Sequence, residues 1–210
     1  MTIDLTIVVA DSTTVDGFGS LRADVERSGL RCSIYRTTTL RPKLMTTLGP
    51  VLFLHGDIRV CHGAVASLYA EYRRAAAQFS RPVWISPRFL PYGLSPEDGS
   101  DFAAKWGIST DAYGFVSSPP LSAPLTGDGH ALSMFITSME AFNSIHMPYE
   151  TYKGSYFVAV DLGVRVLLAG HKNLLSWTAC IEHVGTSCPG EKDSVKEDSK
   201  LFFDLWGEEV

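Results

Sequence analysis

The sequence predicts a single α/β domain (residues 1–210) built on a Rossmann-type open mixed sheet with helices on both faces. Three observations predict it. Strand-like and helix-like segments alternate from the N-terminus, the order that builds βαβ units. The run Val51-Leu52-Phe53-Leu54 is apolar at four consecutive positions, which suits a strand covered on both faces. A chain of 210 residues, 45% hydrophobic and 20% charged, has the size and composition of one globular domain with a proper core.

Ile3 to Ala10 is apolar and β-branched, then breaks into Asp11-Ser12-Thr13-Thr14, a strand ending in a polar loop. Val15 to Ser28 carries helix formers, with Leu21 and Val25 four apart and Gly29 as the stop. Leu30 to Thr37 alternates as a second strand, and Leu40 to Leu48 reads as a short helical piece before Gly49-Pro50. The Val51–Leu54 strand ends in His55-Gly56-Asp57, followed by Ile58-Arg59-Val60. An amphipathic helix comes next, apolar at Val65, Leu68, Tyr69 and Tyr72. Arg81 to Phe89 is a strand. Prolines 91, 96, 119, 120 and 124 then break residues 91–130 into long loops, Gly127-Asp128-Gly129-His130 among them. Ala131 to Ile136 is extended, and Thr137 to Ser144 makes one or two helical turns. Tyr156 to Ala169 is a helix closed by Gly170, and Asn173 to Ile181 is a strand leading to His183. The polar stretch 186–200 is expected to be a mobile loop whose Lys192, Lys196 and Lys200 either close over phosphates or are simply solvated; Leu201 to Trp206 is an aromatic anchor.

A net charge of −5 does not indicate a nucleic-acid-binding face. The longest apolar runs are too short for a membrane span, and the first residues lack the basic and apolar regions of a signal peptide, so a cytoplasmic protein is expected. Four cysteines, Cys32, Cys61, Cys180 and Cys188, form no C-x-x-C pair and are expected to stay thiols there. Cys32 and Cys180 read as core filler, and the C-x2-H-x4-C spacing of Cys180, His183 and Cys188 lacks the second pair that marks a structural zinc site.

Ligands of open α/β sheets bind outside the carboxyl ends of the strands, which points at Asp11 and at His55 to Asp57. No G-x-G-x-x-G, Walker loop or G-x-S-x-G elbow is present. The order of parts is more telling. Strand Leu52-Phe53-Leu54 runs into His55-Gly56-Asp57; later come Asp161-Leu162-Gly163-Val164-Arg165, Ala169-Gly170-His171-Lys172, a strand and His183. This order resembles the family 2 glycosyltransferases, whose fold is GT-A. The strong parts are residues 51–60 and 156–186. The family's metal-holding Asp-x-Asp triplet is His-x-Asp here, and the Glu-Asp pair that opens its later helix is Val158-Ala159.

The resemblance implies a GT-A-like fold and a metal-dependent glycosyltransferase that moves a sugar from a nucleotide-diphosphate donor, UDP- or GDP-linked, to an acceptor hydroxyl. Asp57, His55 and His183 are then the metal ligands. Mucin-type polypeptide N-acetylgalactosaminyltransferases look like a precedent, with an Asp-x-His triplet and a distant His. Imidazole donors make manganese a better fit than magnesium. Each residue also has a plain structural role open to it: Asp57 as a turn residue, His55 as a polar strand end, His183 as a hydrogen-bonded loop residue. Asp11, Ser12 and Thr13 match the nucleotide-binding end of the first strand. Asp161 is the candidate base, or alternatively the Arg165 partner at i, i+4. Replacement of the Glu-Asp pair leaves a second possibility, a binding or interaction module of the same fold without catalysis.

Overall fold

The computed structural model describes residues 3–10, 17–37, 49–55, 58–90, 109–110, 116–117, 134–146, 151–153, 155–183 and 191–207. In chain order the elements are β1 (Leu5–Ala10), α1 (Gly17–Ser28), β2 (Cys32–Thr37), β3 (Pro50–His55), β4 (Ile58–Val60), α2 (Ala64–Gln78), β5 (Val83–Leu90), β6 (Ser109–Thr110), β7 (Val116–Ser117), β8 (Met134–Ser138), α3 (Met139–Ser144), α4 (Ser155–Leu168), β9 (Lys172–His183) and α5 (Glu191–Trp206). The main sheet has the order β2-β1-β3-β8-β5-β9-β4, and β6 pairs with β7 separately. β2, β1 and β3 are parallel, β8 is antiparallel to both β3 and β5, β9 is parallel to β5, and β4 is antiparallel to β9.

Side chains alternate strictly between two buried faces, the period-2 consequence of the pleat. Leu5, Ile7 and Val9 of β1, Leu52 and Leu54 of β3, and Met134 and Ile136 of β8 face one core, covered by Leu21 of α1 and by Val65, Leu68, Tyr72 and Ala75 of α2. Val8, Val51, Phe53, Trp84 and Phe135 face the other, covered by Met139, Ala141 and Phe142 of α3 and Leu162 and Val166 of α4. Phe53 lies 5.0 Å from Phe135 and 4.2 Å from Phe142, ring centre to ring centre, so an aromatic layer fills that side. Full burial of each such side chain contributes about 1.5–3 kcal/mol. The four-residue apolar run is thereby explained, since β3 has a hydrophobic layer on each face.

Helix ends follow local chemistry. Gly29 and Gly170 adopt φ of 70° and 74°, a conformation that costs a residue with a Cβ about 1–2 kcal/mol. At the end of α4 the amides of Gly170 and His171 donate to Leu167 O and Val166 O at 2.8 and 3.0 Å, a Schellman closure. α3 is capped by Ser138 Oγ, which accepts from the Ala141 amide at 3.0 Å.

The expectation of a loop over 186–200 is corrected in part, because residues 191–200 are the first two-thirds of α5. Lys196, Glu197 and Lys200 are the solvent side of an amphipathic helix whose other side buries Asp198 and Phe202. Charge density had hidden the helical period. Residues 186–190, the expected helical piece at Leu40 to Leu48 and the Gly127–His130 loop lie outside the described residues.

Candidate functional site

The strand ends converge by register. Ala10, the last residue of β1, pairs with Thr37 of β2 on one side and His55 of β3 on the other. Three parallel strands therefore stop in one row, and the segments that begin at Asp11 and Gly56 both leave from it. β9 brings in a fourth element. Its first residues pair with β5 from Val83↔Lys172 to Ser86↔Leu175, and pairing resumes at Arg88↔Cys180. One β5 residue, Pro87, thus faces four of β9, residues 176–179, and a mismatch of this kind bends the longer strand. Ser176 Oγ accepts from the Ala179 amide at 2.8 Å, and Glu71 of α2 accepts from the Thr178 amide at 3.3 Å, which hold the bend.

After the bend β9 pairs with β4, with Ile58 opposite His183 and Arg59 opposite Glu182. Directly opposed Cα atoms of an antiparallel pair are about 4.5–5.5 Å apart. His183 therefore stands across from the residue that follows Asp57 in the chain. Arg59 Nη1 donates to Glu182 Oε2 at 3.0 Å and ties the two strands. α1 braces the same corner. Ser20 Oγ accepts from the Val60 amide at 3.0 Å, and buried Asp24 accepts from the Gly63 and Val65 amides at 2.6 and 2.9 Å. Gly63 has no side chain to cap α2, so Asp24 does so from another helix. Neither Ser20 nor Asp24 carries a sequence signal for this, because the partners lie 39–41 residues away.

Of the residues expected in the site, His55 and His183 are placed by their backbones as strand ends, with their side chains outside what is described. Asp11, Ser12, Thr13 and Asp57 lie outside the described residues. Asp161 is fully described. Its carboxylate is wholly buried in α4, accepts from Tyr152 Oη at 2.7 Å and from Arg165 Nη2 at 3.3 Å, and is also bonded by Arg165 Nε. The Arg165 guanidinium lies 5.3 Å from the Trp206 ring of α5. Burial, and then the bond to Asp161, push the Tyr152 hydroxyl well above its ordinary range. The i, i+4 partnership with Arg165 is thus what the structure holds, and it links α4 to α5 and to residue 152.

His171 of the Ala169–Lys172 segment also has an architectural place. Trp84 Nε1 donates to its Nδ1 at 3.0 Å, which fixes the neutral tautomer with the proton on Nε2, facing Ser144 Oγ at 3.5 Å. Burial lowers its pKa, in keeping with a neutral ring. The Lys172 amide donates to Pro82 O at 2.8 Å where β9 begins beside β5.

No protein-family model and no curated protein matches the sequence. Solved structures do resemble the chain. It superposes on the crystal structure of GalNAc-T7 with UDP, GalNAc and Mn2+ at a TM-score of 0.58 and 12% identity, covering 99% of this chain and 48% of that one. The chain has a GT-A-type fold. It spans about half the length of GalNAc-T7 (48%), and 12% identity conveys the fold alone. TarS of S. aureus matches at a TM-score of 0.48 and 12% identity, over 96% of this chain and 66% of that one. UDP-glucose pyrophosphorylase complexed with UDP-glucose matches at 0.44 and 10%, over 99% and 100%. Among the described residues no helix is long and apolar enough to cross a membrane.

Proposed function

We propose that this domain binds a nucleoside-diphosphate sugar together with a divalent metal at the row of strand ends, and transfers the sugar to an acceptor hydroxyl. The observation that carries this is the register: Ala10 beside His55, and Ile58 opposite His183, bring the starts of the Asp11 and Gly56 segments and the end of β9 to one side of the sheet. Two imidazoles and a carboxylate, from His55, His183 and Asp57, make a donor set suited to manganese. A metal bound there would neutralise the diphosphate leaving group as a Lewis acid. GalNAc-T7, which shares this fold, was crystallised with UDP, GalNAc and Mn2+, and that supports the choice of ligands. The motif order is the reason to place the chain near the family 2 enzymes.

In this proposal Asp11, Ser12 and Thr13 offer a carboxylate and hydroxyls to the ribose and base. Transfer also needs a base within reach of the acceptor hydroxyl. For Asp161 to take that role, acceptor binding has to part it from Tyr152 and Arg165. That enclosure, with Val158-Ala159 in place of Glu-Asp, favours a second reading: a binding module of the same fold without turnover.

Calorimetric titration of UDP, then GDP, with and without manganese tests the site. Manganese-dependent binding that is lost in Asp57→Ala is expected. Absence of binding by either nucleotide under any condition sinks the proposal. Release of UDP from a UDP-sugar then separates the enzyme from the module.

A further inference from the structure

The β4–β9 corner carries a second pair of reactive groups, outside the donor set above. Antiparallel pairing runs Ile58↔His183, Arg59↔Glu182, Val60↔Ile181, so the next opposed pair is Cys61 and Cys180. The Cys61 amide donates to Cys180 O at 3.3 Å, which makes this a hydrogen-bonded pair. Cα atoms in such a pair are about 5.5 Å apart, in the middle of the range that a disulfide spans. Alternation along the strands sets Cys61 and Cys180 on the same face as Arg59 and Glu182, whose side chains meet across the strands at 3.0 Å. Cys61 and Cys180 are therefore directly opposed neighbours on this face. Both residues are thiols in the structure, Cys61 half-buried and Cys180 buried. The charge of one thiolate is felt by the other: burial first, and then Cys180 and Glu182, push the Cys61 thiol up to about 12.

We propose that Cys61 and Cys180 form a reversible cross-strand disulfide by exchange with a small-molecule disulfide, stapling β4 to β9. Cys61, the more accessible of the two, gives up its proton and attacks one sulfur of the small disulfide. A mixed disulfide forms, and the first small thiolate leaves. Cys180 then loses its proton and attacks the Cys61 sulfur, expelling the second small thiolate. Two protein thiols are oxidised, one small disulfide is reduced to two thiols, and the two protons go to the released thiolates. The high Cys61 value means that few thiolates exist at neutral pH, so exchange is slow there and quickens as pH rises. Disulfides in reducing compartments are mostly transient ones of this kind. The staple fixes the strand that follows Asp57 to the strand that ends at His183; its formation does not depend on whether nucleotide binds.

The test incubates the native protein with excess oxidised glutathione across pH 7 to pH 9, roughly bracketing an ordinary thiol value, then alkylates the remaining thiols and maps peptides by mass spectrometry. A Cys61–Cys180 linked peptide, lighter by two hydrogens, forming faster at higher pH and reversed by dithiothreitol, is expected. Cys61→Ser should abolish the link while leaving the thermal midpoint of the protein near that of wild type. Glutathione adducts persisting on Cys61 without the link would overturn the proposal. So would a link joining either residue to Cys32 or Cys188 instead. If the link forms but neither state binds a nucleotide, the staple stands and the donor-site proposal alone fails.

Discussion

Asp24→Ala removes the acceptor for two backbone amides in one step. The side chain is 1% exposed, and Gly63 and Val65, its partners, open the first turn of α2. Hydrogen bonds to a charged acceptor are worth about 1.5–3 kcal/mol each, and Gly63 has no side chain to replace the lost acceptor for its own half-buried amide or the buried amide of Val65. The Asp24 charge also sits at the positive end of the α2 dipole, a contribution of about 0.3–1 kcal/mol. Arg27 lies 3.6 Å from Asp24 but is half exposed, so its share is small. The loss expected for Asp24→Ala is therefore about 4 kcal/mol, and for Asp24→Asn, which keeps one acceptor oxygen, about 2 kcal/mol. In a domain of this size the alanine variant should melt roughly 8–16 °C lower. Urea unfolding followed by tryptophan fluorescence gives the free energies directly, with the slope unchanged if the native state stays compact. An Asp24→Ala variant within about 1 kcal/mol of wild type would refute the claim that α1 caps α2.

Three further outcomes follow from the geometry. Tyr152→Phe keeps the ring but removes a bond to a buried carboxylate, and should cost about 1.5–3 kcal/mol in the same urea assay. Stability should fall as pH drops below 6.5, the ordinary value of histidine: burial lowers the His171 pKa, so its contribution is complete above 6.5 and is lost as pH falls through the folded value. His171→Asn, whose amide oxygen can still accept from Trp84, should flatten that limb of the pH–stability curve, and an unchanged limb would assign it to other groups. Asp161→Asn should destabilise the protein while leaving manganese-dependent UDP affinity within a few-fold. A complete loss of nucleotide binding would place Asp161 in the donor site instead.

Much of the fold was legible because its signals are local. The run at residues 51–54 identified a strand buried on both faces, Val65, Leu68 and Tyr72 identified the core face of α2, and Gly29 and Gly170 marked helix ends that require a positive φ. What escaped depends on distant residues. The bend of β9 arises from four residues set against Pro87, a mismatch that exists only once the two strands pair. Asp24 looks like any acid inside a helix until α2 is placed against α1. α5 is obscured for the opposite reason: its exposed charges outnumber the few positions, such as Phe202, that reveal its period. Of the metal candidates, register sets the backbones of His55 and His183 at strand ends, whereas Asp57 lies outside the described residues.

Asp161 is where local pattern left two roles open, and where burial distinguishes their demands. A general base has to meet an acceptor hydroxyl at hydrogen-bond distance, which requires an oxygen with room beside it. A carboxylate that joins a tyrosine to an arginine of its own helix needs the reverse, full enclosure with both oxygens engaged. Asp161 has the second set of properties: no exposed surface, Tyr152 on one oxygen, and Arg165 bridging both. Opening it would separate a buried ion pair and loosen α4 from Trp206, at a cost of about 3–5 kcal/mol if the charge were left unpaired. Acceptor binding would have to supply that much before any proton moved. A catalytic version of this domain therefore needs either a large closure around its acceptor or a base other than Asp161, whereas a binding module needs neither.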